Sequence, residues 1–215
     1  MTTRRTWLAF AAVLLALFAP LSIAKADGLY DAPVPAGSSY VRFLNADVAA
    51  ETGAALDGRA IDFGSRLLTP YQLVPAGEHA LTTGKATEVI NVAAGAFYTV
   101  ALHAEGPKSV TVIEDEAITN PAFAKLFFYN FTDTAAGLLA DVGGDSVHVF
   151  SDLGAARTAA REVQPFDVVF SVTVGGDQLE PLERSVLQRH VGTSIFVIEH
   201  DGQYVADIAE NSVSR

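Results

Sequence analysis

An all-β protein is what this sequence predicts, and three observations predict it. Past residue 26 no long segment carries a helical period. Short apolar runs rich in Val, Ile, Phe and Tyr recur instead. Between them stand Gly, Pro, Asp and Asn in pairs with known turn chemistry, such as Asp57-Gly58, Gly143-Gly144-Asp145, Gly175-Gly176-Asp177 and Asp201-Gly202. Many short strands at this spacing read as an antiparallel sandwich or barrel.

The chain opens differently. Arg4 and Arg5 precede the apolar run Trp7 to Phe18, then Pro20 and the small-x-small box Ala24-Lys25-Ala26. That is the layout of a secretory signal peptide, with cleavage expected after Ala26. The run falls short of the roughly 20 residues a spanning helix needs. Thr3-Arg4-Arg5 also resembles a twin-arginine signal, and the strongly apolar core favours ordinary secretion. No cysteine follows the box, which excludes a lipid anchor on a new N-terminus.

The leader 27–37 holds Pro33 and Pro35, which forbid helix and favour an extended path. Leu29 and Tyr30 are apolar anchors on it, able to clip onto the first domain or to dock on a partner. Strands are then expected at 38–46, 67–74, 78–83, 86–92, 96–103 and 109–114. A second set falls at 125–132, 146–150, 166–174, 184–190, 193–200 and 203–208. Val110 and Val112 share one strand face, as do Phe166, Val168 and Phe170. Ile195-Phe196-Val197-Ile198 is apolar on both faces, as a central strand covered on two sides would be. The Ala-rich stretch 152–161 fits a short helix or an edge segment equally well.

The two sets look like copies of one unit. Tyr40-Val41-Arg42-Phe43-Leu44-Asn45 parallels Lys125-Leu126-Phe127-Phe128-Tyr129-Asn130, each an apolar strand closed by Asn. Val74-Pro75-Ala76-Gly77 parallels Val163-Gln164-Pro165-Phe166, and Gly95 to Val100 parallels Gly192 to Val197. The order is the same in both halves. The expected architecture is therefore two tandem immunoglobulin-like antiparallel β-sandwich domains, 27–117 and 125–215, joined by a linker at 118–124 after a signal peptide at 1–26.

Composition narrows the chemistry. The 215 residues carry 14 basic and 25 acidic side chains, and cleavage would remove three bases and no acid, leaving a formal charge of −14. Such a field disfavours nucleic acid, anionic lipid and a polyanionic polysaccharide as broad partners. With no cysteine, thiol chemistry and cysteine-held metal are excluded, and an exported chain must rely on its core.

No catalytic or metal constellation stands out. His79, His103, His148, His190 and His200 lack metal-binding spacing and read as polar strand positions facing water. Gly144-Asp145-Ser146 resembles a strand end that presents a nucleophilic serine. Its only Asp-x-x-His is Asp145 to His148, overlapping the serine, which leaves no separate carboxylate to orient the imidazole. The acids Glu114-Asp115-Glu116, and Asp201 with Asp207, lack a calcium-loop spacing. Asn130-Phe131-Thr132 is a glycosylation sequon within a strand. No cofactor is expected.

The run Asp27-Gly28-Leu29-Tyr30-Asp31-Ala32-Pro33-Val34-Pro35-Ala36-Gly37-Ser38-Ser39-Tyr40-Val41-Arg42-Phe43-Leu44-Asn45-Ala46 resembles the AlgF family. The turn Leu73-Val74-Pro75-Ala76-Gly77 is a weaker second match. The resemblance implies a periplasmic accessory protein for O-acetylation of alginate or a related exported polymer such as cellulose. It implies no acetyltransferase centre, but partners: a membrane-bound O-acyltransferase and periplasmic acetyltransferases. Leu29, Tyr30, Pro33, Pro35 and Arg42 are then candidate partner contacts, although Arg42 could equally pair with a nearby acid. The rival readings are a carbohydrate-binding sandwich, disfavoured by the absence of Trp beyond Trp7, and an enzyme using Ser146.

Overall fold

The computed structural model describes residues 35–46, 53–84, 86–103 and 109–214; the expected signal peptide and Leu29, Tyr30 and Pro33 lie outside them. Among the described residues every regular element is a strand. The first half holds β1 (Ser38–Asn45), β2 (Ala55–Leu56), β3 (Arg59–Ala60), β4 (Gln72–Pro75), β5 (Gly77–Thr83), β6 (Ala86–Val92), β7 (Phe97–Leu102) and β8 (Val110–Asp115). The second holds β9 (Ala124–Phe131), β10 (Ala136–Val142), β11 (Asp145–Leu153), β12 (Arg157–Val163), β13 (Asp167–Val174), β14 (Asp177–Gln178), β15 (Ser185–Val186), β16 (Gly192–His200) and β17 (Gln203–Glu210).

Each half forms two sheets, and the halves repeat one topology. The inner sheets run β4-β1-β7-β8 and β12-β9-β16-β17; the outer sheets run β3-β2-β5-β6 and β11-β10-β13-β14, with β15 also on β13. In each inner sheet the first strand of the half lies parallel to a late one, β1 to β7 and β9 to β16. The expected sandwiches were to be antiparallel throughout, so these two pairs are a correction. A parallel neighbour needs a long crossover, and here the rest of each half supplies it.

Alternation along the inner strands makes four layers. Val41 and Phe43 of β1, with Tyr98, Val100 and Leu102 of β7, pack on Leu56, Leu81, Ile90 and Val92 of the first outer sheet. Leu126 and Phe128 of β9, with Ile195 and Val197 of β16, pack on Leu138, Val168, Phe170 and Val172 of the second. The opposite faces meet each other: Leu44, Ala101 and Ile113 join Phe127, Tyr129, Phe131, Phe196 and Ile198 in a third core. This third core explains why β7 and β9 are buried along their whole length. Ile118, within the expected linker, is buried in it as well.

Some elements differ from the sequence expectation, each for a local reason. β10 went unexpected because Ala136, Gly137 and Ala140 have weak strand preference. The small residues are needed there: a Cβ on Gly137 would fall 2.7 Å from Thr173 Oγ1 and 3.2 Å from the Phe150 carbonyl. The Ala-rich stretch becomes the edge strand β12, its Ala159 and Ala160 opposite Phe128 and Phe127. Pro70 splits the expected strand 67–74, so β4 begins at Gln72 while Leu68 keeps a bridge to Leu44. The expected strand 184–190 shrinks to β15.

Candidate functional site

Arg42 sits in the middle of β1, and alternation points it into the layer between the halves. It is 1% exposed. Its Nε donates to Thr99 Oγ1 on β7 at 2.8 Å. Nη2 donates to the Tyr129 hydroxyl on β9 and to Ser194 Oγ on β16, both at 2.8 Å, and Nη1 to Asn211 Oδ1 at 2.7 Å. The guanidinium also lies 4.3 Å from the Tyr71 ring centroid. An arginine suits this place because its planar fork serves several acceptors while its face stacks on an aromatic ring.

The balancing charge is Asp115 at the end of β8, 4.0 Å from Arg42 Nη2. Hydroxyls stand between the two charges. Tyr71 and Thr99 donate to Asp115 Oδ2 at 2.7 and 2.6 Å, and Tyr129 donates to Oδ1 at 2.7 Å. Burial first, and the Asp115 carboxylate second, push the Tyr129 hydroxyl far above its ordinary value of 10.0, so it stays protonated and keeps donating. Ser194 Oγ donates to Asn211 Oδ1 at 2.7 Å. A fully buried charge pair survives only when bonded this completely.

The cluster is also a seam, since Arg42, Tyr71, Thr99 and Asp115 come from the first half and Tyr129, Ser194 and Asn211 from the second. Asn211 fits because Gly192 lies beneath it: a Cβ there would come 2.5 Å from Asn211 Nδ2. Beside the cluster, Lys125 Nζ donates to Glu116 Oε2 at 2.8 Å and to the Ala117 carbonyl at 3.0 Å. That ties the start of β9 to the segment leading into it.

A cleft of about 450 Å³ opens from this seam to solvent. Arg42 forms part of its floor, residues 65–70 one wall, and Asp207 to Glu210 of β17 the other. One end is closed by the chain itself. The Tyr71 amide donates to the Ser212 carbonyl at 2.8 Å, and the Ser214 amide to the Tyr71 carbonyl at 2.7 Å, forming a parallel bridge with Val213.

A second polar cluster lies in the first outer sheet. His79 bonds through Nδ1 to Asp57 Oδ2 at 2.6 Å and through Nε2 to the Pro75 carbonyl at 2.7 Å. Both ring nitrogens face acceptors, so both carry protons. Burial alone would lower the imidazole, but the Asp57 hydrogen bond and the Pro75 carbonyl outweigh it and raise it above 6.5. The same bond, with the Ala80 amide, holds Asp57 below 3.8. His79 is 6% exposed, which corrects the expectation of a water-facing strand position. His103 is half-buried, its ring edge on Phe131 of the other half, and burial pushes it below 6.5.

Of the expected partner contacts, Leu29, Tyr30 and Pro33 lie outside the described residues. Pro35 is exposed, and its carbonyl accepts from the Ser38 amide at 3.0 Å to start β1. Arg42, weighed as a partner contact or an internal pair, is the internal pair: at 1% exposure its guanidinium is taken up by the seam. Ser146 and His148 stand on the exposed strand β11, opposite Asp141 and Leu139. The three clustered acids part company, Glu114 to solvent, Asp115 to Arg42 and Glu116 to Lys125. Asn130 is fully buried; its amide donates to the carbonyls of Thr134, Leu153 and Gly154 and its oxygen receives Thr132, so the sequon is an internal brace. Among the described residues no group of three potential metal ligands assembles, and no helix is long and apolar enough to cross a membrane.

Sequence reasoning missed Asp115, Tyr71, Tyr129 and Asn211 as one unit with Arg42. The available signal was a charge set among apolar neighbours on a strand covered on both faces. That pattern marks Arg42 in β1; Asp115 stands between Glu114 and Glu116 on the edge strand β8 and carries no such signal.

Comparison with known proteins supplies a family. Residues 12–193 match the family model described as Alginate O-acetyl transferase AlgF. The alginate biosynthesis protein AlgF of Pseudomonas syringae pv. tomato is 22% identical over 186 residues, covering 85% of this chain and 81% of that protein. Its namesake from Pseudomonas putida is 24% identical over 184 residues, covering 85% and 84%. The solved C-terminal domain of AlgF from P. aeruginosa is 18% identical and covers 42% of this chain and 99% of that one, at a TM-score of 0.37, too low to bear on the fold.

Proposed function

The chain belongs to the AlgF family, and from that premise we propose a non-catalytic periplasmic adaptor for O-acetylation of an exported polysaccharide, alginate or a related polymer such as cellulose. It works beside a membrane-bound O-acyltransferase and periplasmic acetyltransferases, offering them surfaces. Its two units, 27–117 and 125–215, are immunoglobulin-like sandwiches that follow a cleaved signal peptide. The observation that carries this reading is the family match across residues 12–193. The family description names a transferase, yet the polar groups described here favour a scaffold. The largest buried set is spent on internal bonds, and Ser146 and His148 sit on an exposed edge strand. The acidic surface also suits protein partners better than a polyanionic polymer.

Two measurements test it. Deleting the gene is expected to abolish acetylation of the polymer while leaving its synthesis intact; unchanged acetyl content ends the proposal. Purified protein and its Ser146→Ala variant are expected to hydrolyse an acetyl ester at the same background rate, and a rate lost with Ser146 would make the protein an enzyme.

A further inference from the structure

The pairing register of β16 with β17 decides which backbone groups of β17 are free. The Asn211 amide donates to the Gly192 carbonyl, so Gly192 and Asn211 form a hydrogen-bonded pair. Bonded and non-bonded pairs alternate along an antiparallel ladder. Ala209, Asp207 and Val205 therefore bond to β16, while Glu210, Ile208, Ala206 and Tyr204 turn their amides and carbonyls outward. β17 is the last strand of its sheet, so among the described residues this edge has no neighbouring strand. The Ile208 amide confirms the direction, because the Asp207 carboxylate caps it at 2.7 Å.

The opposite wall of the cleft has the same character. The Asn45 amide donates to the Leu67 carbonyl and the Thr69 amide to the Phe43 carbonyl, so Leu68 turns its own backbone away from β1. At the closed end the continuation of β17 joins this wall: residues 212–214 lie on Tyr71 through two backbone hydrogen bonds. Asp207 and Glu210 line the β17 wall and Arg66 the opposite one, so acid exceeds the one exposed base of the lining.

We propose that the free edge of β17 receives an extended, lysine- or arginine-bearing segment of a protein partner as an added strand, seated in the cleft opposite residues 65–70. Main-chain bonds to Ala206, Ile208 and Glu210 supply the affinity, as in other strand additions. An arriving carbonyl takes the Ile208 amide from Asp207, and the released carboxylate pairs with the basic side chain. The partner is the kind the adaptor reading calls for, and the site rests on that reading only there.

The test is a titration of the isotope-labelled protein with the peptide acetyl-Val-Lys-Val-Lys-Val-amide, read by NMR at each amide. Saturable shifts are expected at 204–210 and 65–70. Methylating alternate peptide amides should weaken binding by about tenfold or more, as loss of two backbone hydrogen bonds predicts. Ala206→Pro should weaken it as much, because a proline whose nitrogen faces outward on an edge strand leaves the β16 ladder intact. A glutamate-for-lysine peptide should bind more weakly still. Absence of saturable shifts, or shifts indifferent to both methylation and Ala206→Pro, overturns the proposal. So does a concentration-dependent dimer broken by Ala206→Pro, which would seat a second copy in the cleft. Full polymer acetylation in cells carrying Ala206→Pro would sink this site and spare the adaptor reading. Acetylation that does not need the protein would sink the adaptor reading and leave the titration to stand alone.

Discussion

The core of the second sandwich and the layer between the halves both bury aromatic side chains but achieve different things. Phe128, Phe170, Ile195 and Val197 pack together in an apolar cluster, and such a core tolerates many arrangements of similar volume. The middle layer sets Phe127, Phe196 and Ile198 around Arg42, Asp115 and their hydroxyls. Apolar area alone would let the two inner sheets slide; a charge pair bonded from both halves is satisfied in one alignment. The sandwiches gain stability from their own cores, and their mutual orientation comes from the polar seam.

The hardest blows to each region should look different. Asp115→Ala leaves a buried guanidinium without its counter-charge and should cost about 3–5 kcal/mol. Phe128→Ala opens a cavity and should also cost about 3–5 kcal/mol. Hydrogen exchange separates them: Asp115→Ala should lower protection in both halves, and Phe128→Ala mainly in 124–210. Equal patterns would erase the distinction. The double variant Arg42→Met/Asp115→Leu, which buries no charge, should recover part of the Asp115→Ala loss in urea denaturation.

Smaller changes sharpen the seam. Tyr129→Phe removes a hydroxyl that Arg42 donates to and Asp115 receives from, for an expected loss of about 1–3 kcal/mol. Gly192→Ala drives a methyl into Asn211 and Ile118 and should cost about 1–3 kcal/mol by overpacking, read as a lower urea midpoint.

The mildest test compares two histidines by pH. His79 holds its proton more tightly folded than unfolded, so its contribution is whole below about pH 6.5 and fades as pH rises through its folded value. Asp57 is whole above about pH 3.8 and fades as pH falls through its folded value. The urea midpoints of wild type and His79→Gln should thus differ most between these limits and converge in alkali. His103 runs the other way: its contribution is whole above about pH 6.5 and is lost as pH falls.

Much of this was legible in the residues. The doubled strand order could be read because Tyr40 to Asn45 and Lys125 to Asn130 repeat apolar runs ending in the same amide. The run Ile195 to Ile198, apolar on both faces, also announced a strand covered on two sides. β10 was not legible and β12 only as one of two alternatives, because their alanines have weak strand preference and take it up beside the large residues of neighbouring strands. The seam was half legible. A cation inside an inner strand was visible, but its partners arrive from positions up to 169 residues away, and only the parallel pairings bring them together. The β17 edge was hidden, since outward and inward amides depend on a register that the turn at Asp201-Gly202 sets.

The bridge between Tyr71 and Val213 makes the two halves each other's fasteners. Loss of residues 212–214 would cut a tie between segments more than 140 residues apart. Damage there would register as looseness around Tyr71 and β4, at the far side of the sequence.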